Sequence, residues 1–351
     1  LTAAGGVHEI CYGVPDLDAA AEYWAAYGFR PGPSGSLDEG AAHTLYGVRS
    51  AVRSLRLQHL DADHGLVRLM QWDRPLSPGI GLVGLRAHGG RWTMQFVRSA
   101  LEVANHGALA RRQGAPILDL QPSFIDLSSY NPQLFGDRPV RPFRDRLVAA
   151  REYTLIQPLW RQALLERFNY DSPLMGRIDD SALLRASQII NASFMIASDD
   201  ENVFSFYSDV LGLKQQPVLE VTWEKSMASR AVFELREGET HWCYTFEEPR
   251  SGASNELRRS GRLYIFRFPT SSHLDDRLAV SQPGHLGCSL FTWRVHDLDV
   301  MRGKCLAAGC RAVTETLFDE FGVRAFSCVT PDGMTWTFQQ ASDDERARFA
   351  A

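Results

Sequence analysis

The chain has 351 residues, 44% of them hydrophobic, and a formal net charge of −5. That is more apolar material than one typical core takes up, and basic residues dispersed among carboxylates lack the electrostatic footprint of a nucleic-acid binder. No apolar run approaches the roughly 20 residues of a membrane-spanning helix, and the N-terminus shows no basic segment leading into an apolar one. A soluble, cytoplasmic, two-core protein is expected, with neither nucleic acid nor membrane as partner. Its six cysteines show no zinc-knuckle spacing and are expected to be free thiols.

Val7 to Phe29 reads as an alternating strand, an acidic turn that caps a helix, an amphipathic helix and a terminating Gly28. Pro31 to Gly40, rich in Gly, Pro and Ser, reads as a loop. Ala51 to Leu60 and Leu66 to Asp73 alternate and are joined by Asp61 to Gly65, as a hairpin should be.

A second unit follows: Gly90 to Arg98 as strand, Ser99 to Gly114 as helix, and Ala115 to Leu127 as an extended segment. Residues 128–184 then break the pattern. Asn131-Pro132, Gly136, Pro139 and Pro142 mark irregular backbone, while Trp160 to Phe168 suits helix or strand. This stretch reads as an insertion or bridge that supplies strands missing from the second unit.

Ile190 to Leu213 repeats the opening pattern, with Asp199-Asp200 at the turn and Gly212 at the end. Ala231 to Arg236 and Glu239 to Glu247 read as a hairpin, and Leu263 to Phe268 as a further strand. Ser289 to Val295 opens a fourth unit, Asp297-Leu298-Asp299 caps its helix, and Pro331-Asp332-Gly333 turns its last hairpin.

Val14-Pro15-Asp16-Leu17-Asp18 with Tyr23-Trp24 and Gly28-Phe29, the matching Phe206-Tyr207 and Leu211-Gly212-Leu213, Val295-His296-Asp297 and the Pro331-Asp332-Gly333 turn together resemble the vicinal oxygen chelate superfamily. That superfamily includes glyoxalases, extradiol dioxygenases, epimerases and antibiotic-resistance proteins. The resemblance covers both halves outside 128–184. It implies an α+β fold of four βαβββ modules paired into two domains: an N-terminal domain over 1–127, an irregular bridging insertion over 128–184 that could complete it, and a C-terminal domain over 185–351. It also implies a cavity whose inward His, Gln or Glu side chains hold a divalent metal.

Carried onto this chain, the family's ligand positions fall on Glu9 and Gln71 in the N-terminal half, and on Asn191, Thr245, Leu290 and Thr337 in the C-terminal half. The second set offers no imidazole, thiolate or carboxylate, so iron-dependent ring cleavage is the least favoured activity. In the N-terminal domain Glu9, Gln71 and Glu166 are the weak metal candidates; no cofactor is expected otherwise. The second module's first-strand position is Trp92, or Gln95 if its helix is aligned by Gly114 instead.

Strand parity turns Glu9 inward with Cys11, and turns His241 inward with Cys243 and Thr245. A carboxylate or imidazole in an apolar cavity suits proton transfer, so Glu9 and His241 are the expected catalytic residues; the alternative for each is an ion-paired or hydrogen-bonded structural role. His8, His59, Gln71, Trp92, Trp160, Asn191, Thr245 and Arg294 are expected to contact the substrate. Trp242, Trp293 and Trp336 fall on the opposite parity, under the helices. The leading expectation is a lyase or isomerase acting on a bulky organic acid, aromatic acids included, with the C-terminal metal site lost. The alternative is a metal-free protein that sequesters its ligand; either form could be a homodimer.

Overall fold

The computed structural model describes residues 3–127, 138–252, 254 and 256–350; the turn signals at Asn131-Pro132 and Gly136 lie outside them. The first module runs β1 (Ala3–Gly13), α1 (Leu17–Ala25), β2 (Phe29–Leu37), α2 (Glu39–Tyr46), β3 (Val52–His59) and β4 (Leu66–Trp72). After the short β5 (Ala87–His88), the second runs β6 (Arg91–Val97), α3 (Ala100–Arg112), β7 (Leu118–Asp119), β8 (Ser123–Asp126), β9 (Ala149–Ile156) and β10 (Arg161–Phe168).

The third comprises β11 (Ala186–Ala197), β12 (Lys214–Gln215), β13 (Leu219–Thr222), α4 (Met227–Val232), β14 (Thr240–Glu247) and β15 (Arg262–Phe268). After β16 (Asp275–Asp276), the fourth comprises β17 (Gly287–Val295), α5 (Leu298–Ala307), β18 (Leu317–Phe318), β19 (Arg324–Val329) and β20 (Thr335–Gln340), and α6 (Asp343–Ala350) follows. None of these helices is long and apolar enough to cross a membrane.

The modules are paired in a nested order. An eight-stranded sheet, β18-β19-β20-β17-β1-β4-β3-β2, joins the first module to the fourth through antiparallel β1 and β17. A ten-stranded sheet, β12-β14-β15-β11-β6-β10-β9-β7, joins the second to the third through β6 and β11. The expected division at 127 and 185 therefore does not follow the sheets. Strands β9 and β10, inside the supposed bridge, are the closing hairpin of the second module, with β10 parallel to β6.

Local chemistry accounts for most boundaries. Asp16, Ser99 and Asp297 each accept a hydrogen bond from a backbone N–H in the first turn of the helix that follows. Asp199 instead accepts from the Thr270 backbone and hydroxyl, and the expected third-module helix is reduced to a 3-10 turn (Asn202–Phe204) and a π turn (Phe206–Val210). The stretch read as a Gly/Pro loop is, up to Leu37, the edge strand β2, where prolines are tolerated because one side of the strand has no partner, and its register shifts between Pro31 and Ser34; Asp38 then caps α2, which contains Gly40. The expected strand at Ala231 to Arg236 is also corrected: Ser226 caps α4 there, and β13 takes its place beside β14.

The main core lies between the two sheets. It contains Tyr12, Trp24, Tyr153, Trp160, Phe194, Tyr207, Trp293 and Trp336, and Trp242 packs at its margin. Trp160 stacks on Tyr23 at 4.8 Å between centroids and meets Tyr12 and Trp24 edge-on.

Candidate functional site

Each sheet has a second face, and the two have different contents. On the first sheet, α2 lays Ala42, Leu45 and Tyr46 against Cys11, Met70, Trp72, Leu290 and Ala325. Behind this plug is a buried ion network. Glu9 lies between two guanidiniums: Oε1 accepts from Arg56 Nε, while Oε2 accepts from Arg68 Nη2 at 2.6 Å and from Thr292 Oγ1 at 3.0 Å. Arg68 also reaches Glu320 at 3.3 Å and Asp319 at 3.5 Å, and the Phe321 ring covers both arginines at 4.3 and 4.8 Å.

Burial pushes the Glu9 carboxyl upward, but Arg56 and Arg68 outweigh it and hold the group well below the usual carboxylate range. A carboxylate with both oxygens engaged and no exposed surface is not presented to a substrate. Thr337, at the last ligand position of the family pattern, shares a 2.7 Å hydrogen bond with Ser327. This face is filled.

The second sheet encloses a cavity of about 680 Å³. Strand alternation turns Trp92, Met94 and Phe96 of β6, Ala163 and Leu165 of β10, and Tyr264 and Phe266 of β15 into it, and α4 contributes Ala228, Ser229 and Val232. The exposed lining is mostly apolar, with polar groups set at particular points of the wall, as in small-molecule sites generally. His241, Cys243 and Thr245 line one wall from β14; Glu152 lines the far wall from β9, separated from β14 by four intervening strands. Between them Asn191 donates to the Met94 sulfur at 3.4 Å, and its Oδ1 has no partner.

His241 is buried, and no side chain hydrogen-bonds either ring nitrogen; its polar contact is with the Trp242 backbone. Its ring stacks on Phe268 at 5.1 Å and meets Phe233 edge-on at 5.2 Å. Loss of hydration lowers its pKa to about 4, so the imidazole is neutral at physiological pH and offers one donor and one acceptor. Burial pushes the Glu152 carboxyl up to about 7, countered only by the Thr154 hydroxyl at 3.3 Å. At one end of the cavity Arg262 and Arg258 both approach Glu247, at 3.1 and 3.9 Å, leaving a net positive end.

Of the residues singled out in the sequence, the cavity thus gathers His241, Thr245, Asn191 and Trp92. The others lie elsewhere. His8 is buried with Nδ1 3.0 Å from the Asp63 carbonyl, and burial lowers its pKa. His59 Nε2 faces the Ala186 carbonyl at 3.1 Å, and Gln71 donates to the Pro15 carbonyl at 2.7 Å. Trp160 is in the core between the sheets, Arg294 pairs with Glu345, and Glu166 accepts from the Ala100 N–H at the start of α3. Glu152, Tyr264, Arg262 and the α4 wall were not anticipated. Ala150 and Glu152 do alternate with Tyr153 in a readable strand pattern, but within the stretch taken for a bridge.

Among the described residues, neither face carries a donor set that fits the divalent metal implied by this type of fold. On the first sheet both Glu9 oxygens are taken by guanidiniums. In the cavity His241, Cys243, Glu152 and Glu247 offer metal-ligating atoms, but no three of them converge on one point. Among the described residues the His, Cys, Asp and Glu groups that converge in threes are Cys305, Cys310 and Cys328, which lie in the core between the sheets.

No family model matches the chain, and no curated protein matches it in sequence. Solved structures do. Glyoxalase I from Zea mays superposes with a TM-score of 0.54 at 12% identity, covering 98% of this chain and 94% of that one. A single-substitution mutant of the same maize enzyme gives 0.53 at 11% identity, covering 98% and 96%. This chain therefore shares the tandem fold of maize glyoxalase I along nearly its whole length, and at this identity the likeness is one of fold alone.

Proposed function

We propose that this chain, built on the vicinal oxygen chelate fold, is a small-molecule enzyme that moves a proton on a bulky, largely apolar organic acid held in the cavity of the second sheet. The supporting observation is the pair of groups on opposite walls: a neutral His241 with no side-chain partner, and Glu152 with a pKa of about 7. A carboxyl near neutrality can both take and return a proton at working pH, as a lyase or isomerase requires. The substrate's apolar body would lie against Trp92, Phe266 and Tyr264, and its carboxylate would be drawn to the positive end at Arg262.

In this reading Glu152 is the base, His241 orients a substrate oxygen as a neutral hydrogen-bond partner, and Asn191 Oδ1 accepts from a substrate hydroxyl or amide. Glu9 is left to architecture. No step requires a metal, in keeping with the donor sets present.

A thermal-shift screen of aromatic and aliphatic carboxylic acids would identify ligands, and turnover would be followed by exchange of substrate hydrogen with deuterated solvent. Glu152→Gln is expected to lower exchange by about 10²–10⁴-fold with binding retained, the range for loss of a positioned general base. Unchanged exchange in Glu152→Gln would refute the assignment. The second reading, a ligand-sequestering protein, is favoured by the aromatic walls; it predicts tight binding with no exchange in the wild type.

A further inference from the structure

Away from the cavity, the fourth module brings three thiols together. Cys305 lies in the last turn of α5 with its side chain in the core. The chain then turns at Gly309, whose φ of 76° is the left-handed conformation that favours glycine, and the Cys310 N–H bonds back to the Cys305 carbonyl at 3.0 Å. A β-bridge between Arg311 and Val329 draws this segment onto β19, beside Cys328. As a result the three Sγ atoms all lie within 4.8 Å of one another, buried among Leu298, Met301 and Phe326.

We propose that Cys305, Cys310 and Cys328 form a three-coordinate site for one soft, thiophilic ion. Sulfurs bonded to a common centre at about 2.3 Å stand about 4 Å apart in a planar site and about 3.4 Å apart around a pyramidal arsenic, so the cluster has to contract by no more than about 1.4 Å. Among the described residues, no His, Asp or Glu joins the group, so the fourth protein ligand of a closed tetrahedral zinc site is missing. Three sulfurs alone select soft acceptors such as Cu(I) or trivalent arsenic.

Charge separates the two occupants. Arsenite, As(OH)3, exchanges its three hydroxyls for three thiolates, consuming the thiol protons as three waters and leaving a neutral adduct. Cu(I) displaces three protons and leaves a dianion, which an apolar shell at a helix C-terminus disfavours. Neither reaction changes an oxidation state.

The full chain, reduced and stripped by chelator, would be titrated with arsenite, Cu(I) under anaerobic conditions and Zn(II), and its protected thiols mapped by alkylation and mass spectrometry. The expected result is one equivalent of arsenite protecting Cys305, Cys310 and Cys328 together, with Cys11, Cys243 and Cys288 unaffected. Protection by Cu(I) but not arsenite would support the three-sulfur site and reverse the charge argument. Cys310→Ser, at the margin of the cluster, should abolish joint protection while the melting transition shows a folded protein. No protection by either soft ion, or tighter protection by Zn(II), would overturn the site; mapping on the wild type decides the matter even if the variant does not fold.

Discussion

The two sheets share one plan, with β1 against β17 in one and β6 against β11 in the other, yet their inner faces are opposite in character. The first is packed with α2 and five buried charged side chains: Glu9, Arg56, Arg68, Asp319 and Glu320. The second is hollow and mostly apolar, with isolated polar atoms left without partners. A repeated architecture has thus been used once for an ionic core and once for a ligand chamber. What separates the two is side-chain content on equivalent strands rather than topology.

The largest effect is expected at the centre of the filled face. Arg68→Met leaves Glu9, Asp319 and Glu320 buried with one compensating guanidinium fewer and should destabilise the protein by about 3–5 kcal/mol in urea denaturation. Adding Glu9→Gln should recover part of that loss, since it removes one of the uncompensated charges. Equal stability of Arg68→Met and wild type would mean the network carries no structural weight.

A smaller effect is expected in the hollow face. Because burial raises the Glu152 carboxyl to about 7, its neutral form is favoured by folding: the contribution is fully present below its unfolded value and is lost as pH rises through about 7. Glu152→Gln should therefore be more stable than wild type above pH 7, by no more than about 1 kcal/mol once solvent screening of this half-buried group is allowed for. Melting temperatures at pH 5.5 and 8.5 would check the sign. The least effect is expected from Thr337→Val, which forfeits the hydrogen bond to Ser327 for about 1 kcal/mol and leaves ligand binding in the second sheet unchanged.

The parts of the fold legible in the sequence are those written in local chemistry. The caps at Asp16 and Asp297 mark helix starts, and the Pro331-Asp332-Gly333 turn works because Asp332 Oδ1 accepts from the Met334 N–H and the Thr330 hydroxyl. Period-two alternation also located the inner face of β14, hence the direction of His241 and Thr245. It could not choose partners: all four modules open with a similar strand, and nothing in that period says that β1 pairs with β17 rather than with β6. Nor could it show that Glu9 faces two arginines, because Arg68 and Glu320 are brought together across 252 residues. Glu152 was hidden by a different cause, the irregular composition preceding β9, which masked a regular hairpin.

The nested pairing also bears on how the chain acquires its structure. The partners of the second sheet are sequence neighbours, and β6 through β15 can assemble while the fourth module is still being synthesised. Glu9 and Thr292, which hydrogen-bond across the first sheet, are 283 residues apart. Closing so long a loop costs chain entropy that only late contacts repay, and β1 has no β17 to pair with until then. During synthesis the unpaired edge of β1 and the charges of Glu9 and Arg68 would wait for their C-terminal partners, so the ligand chamber is expected to be the earlier folding unit and the ionic core the later one.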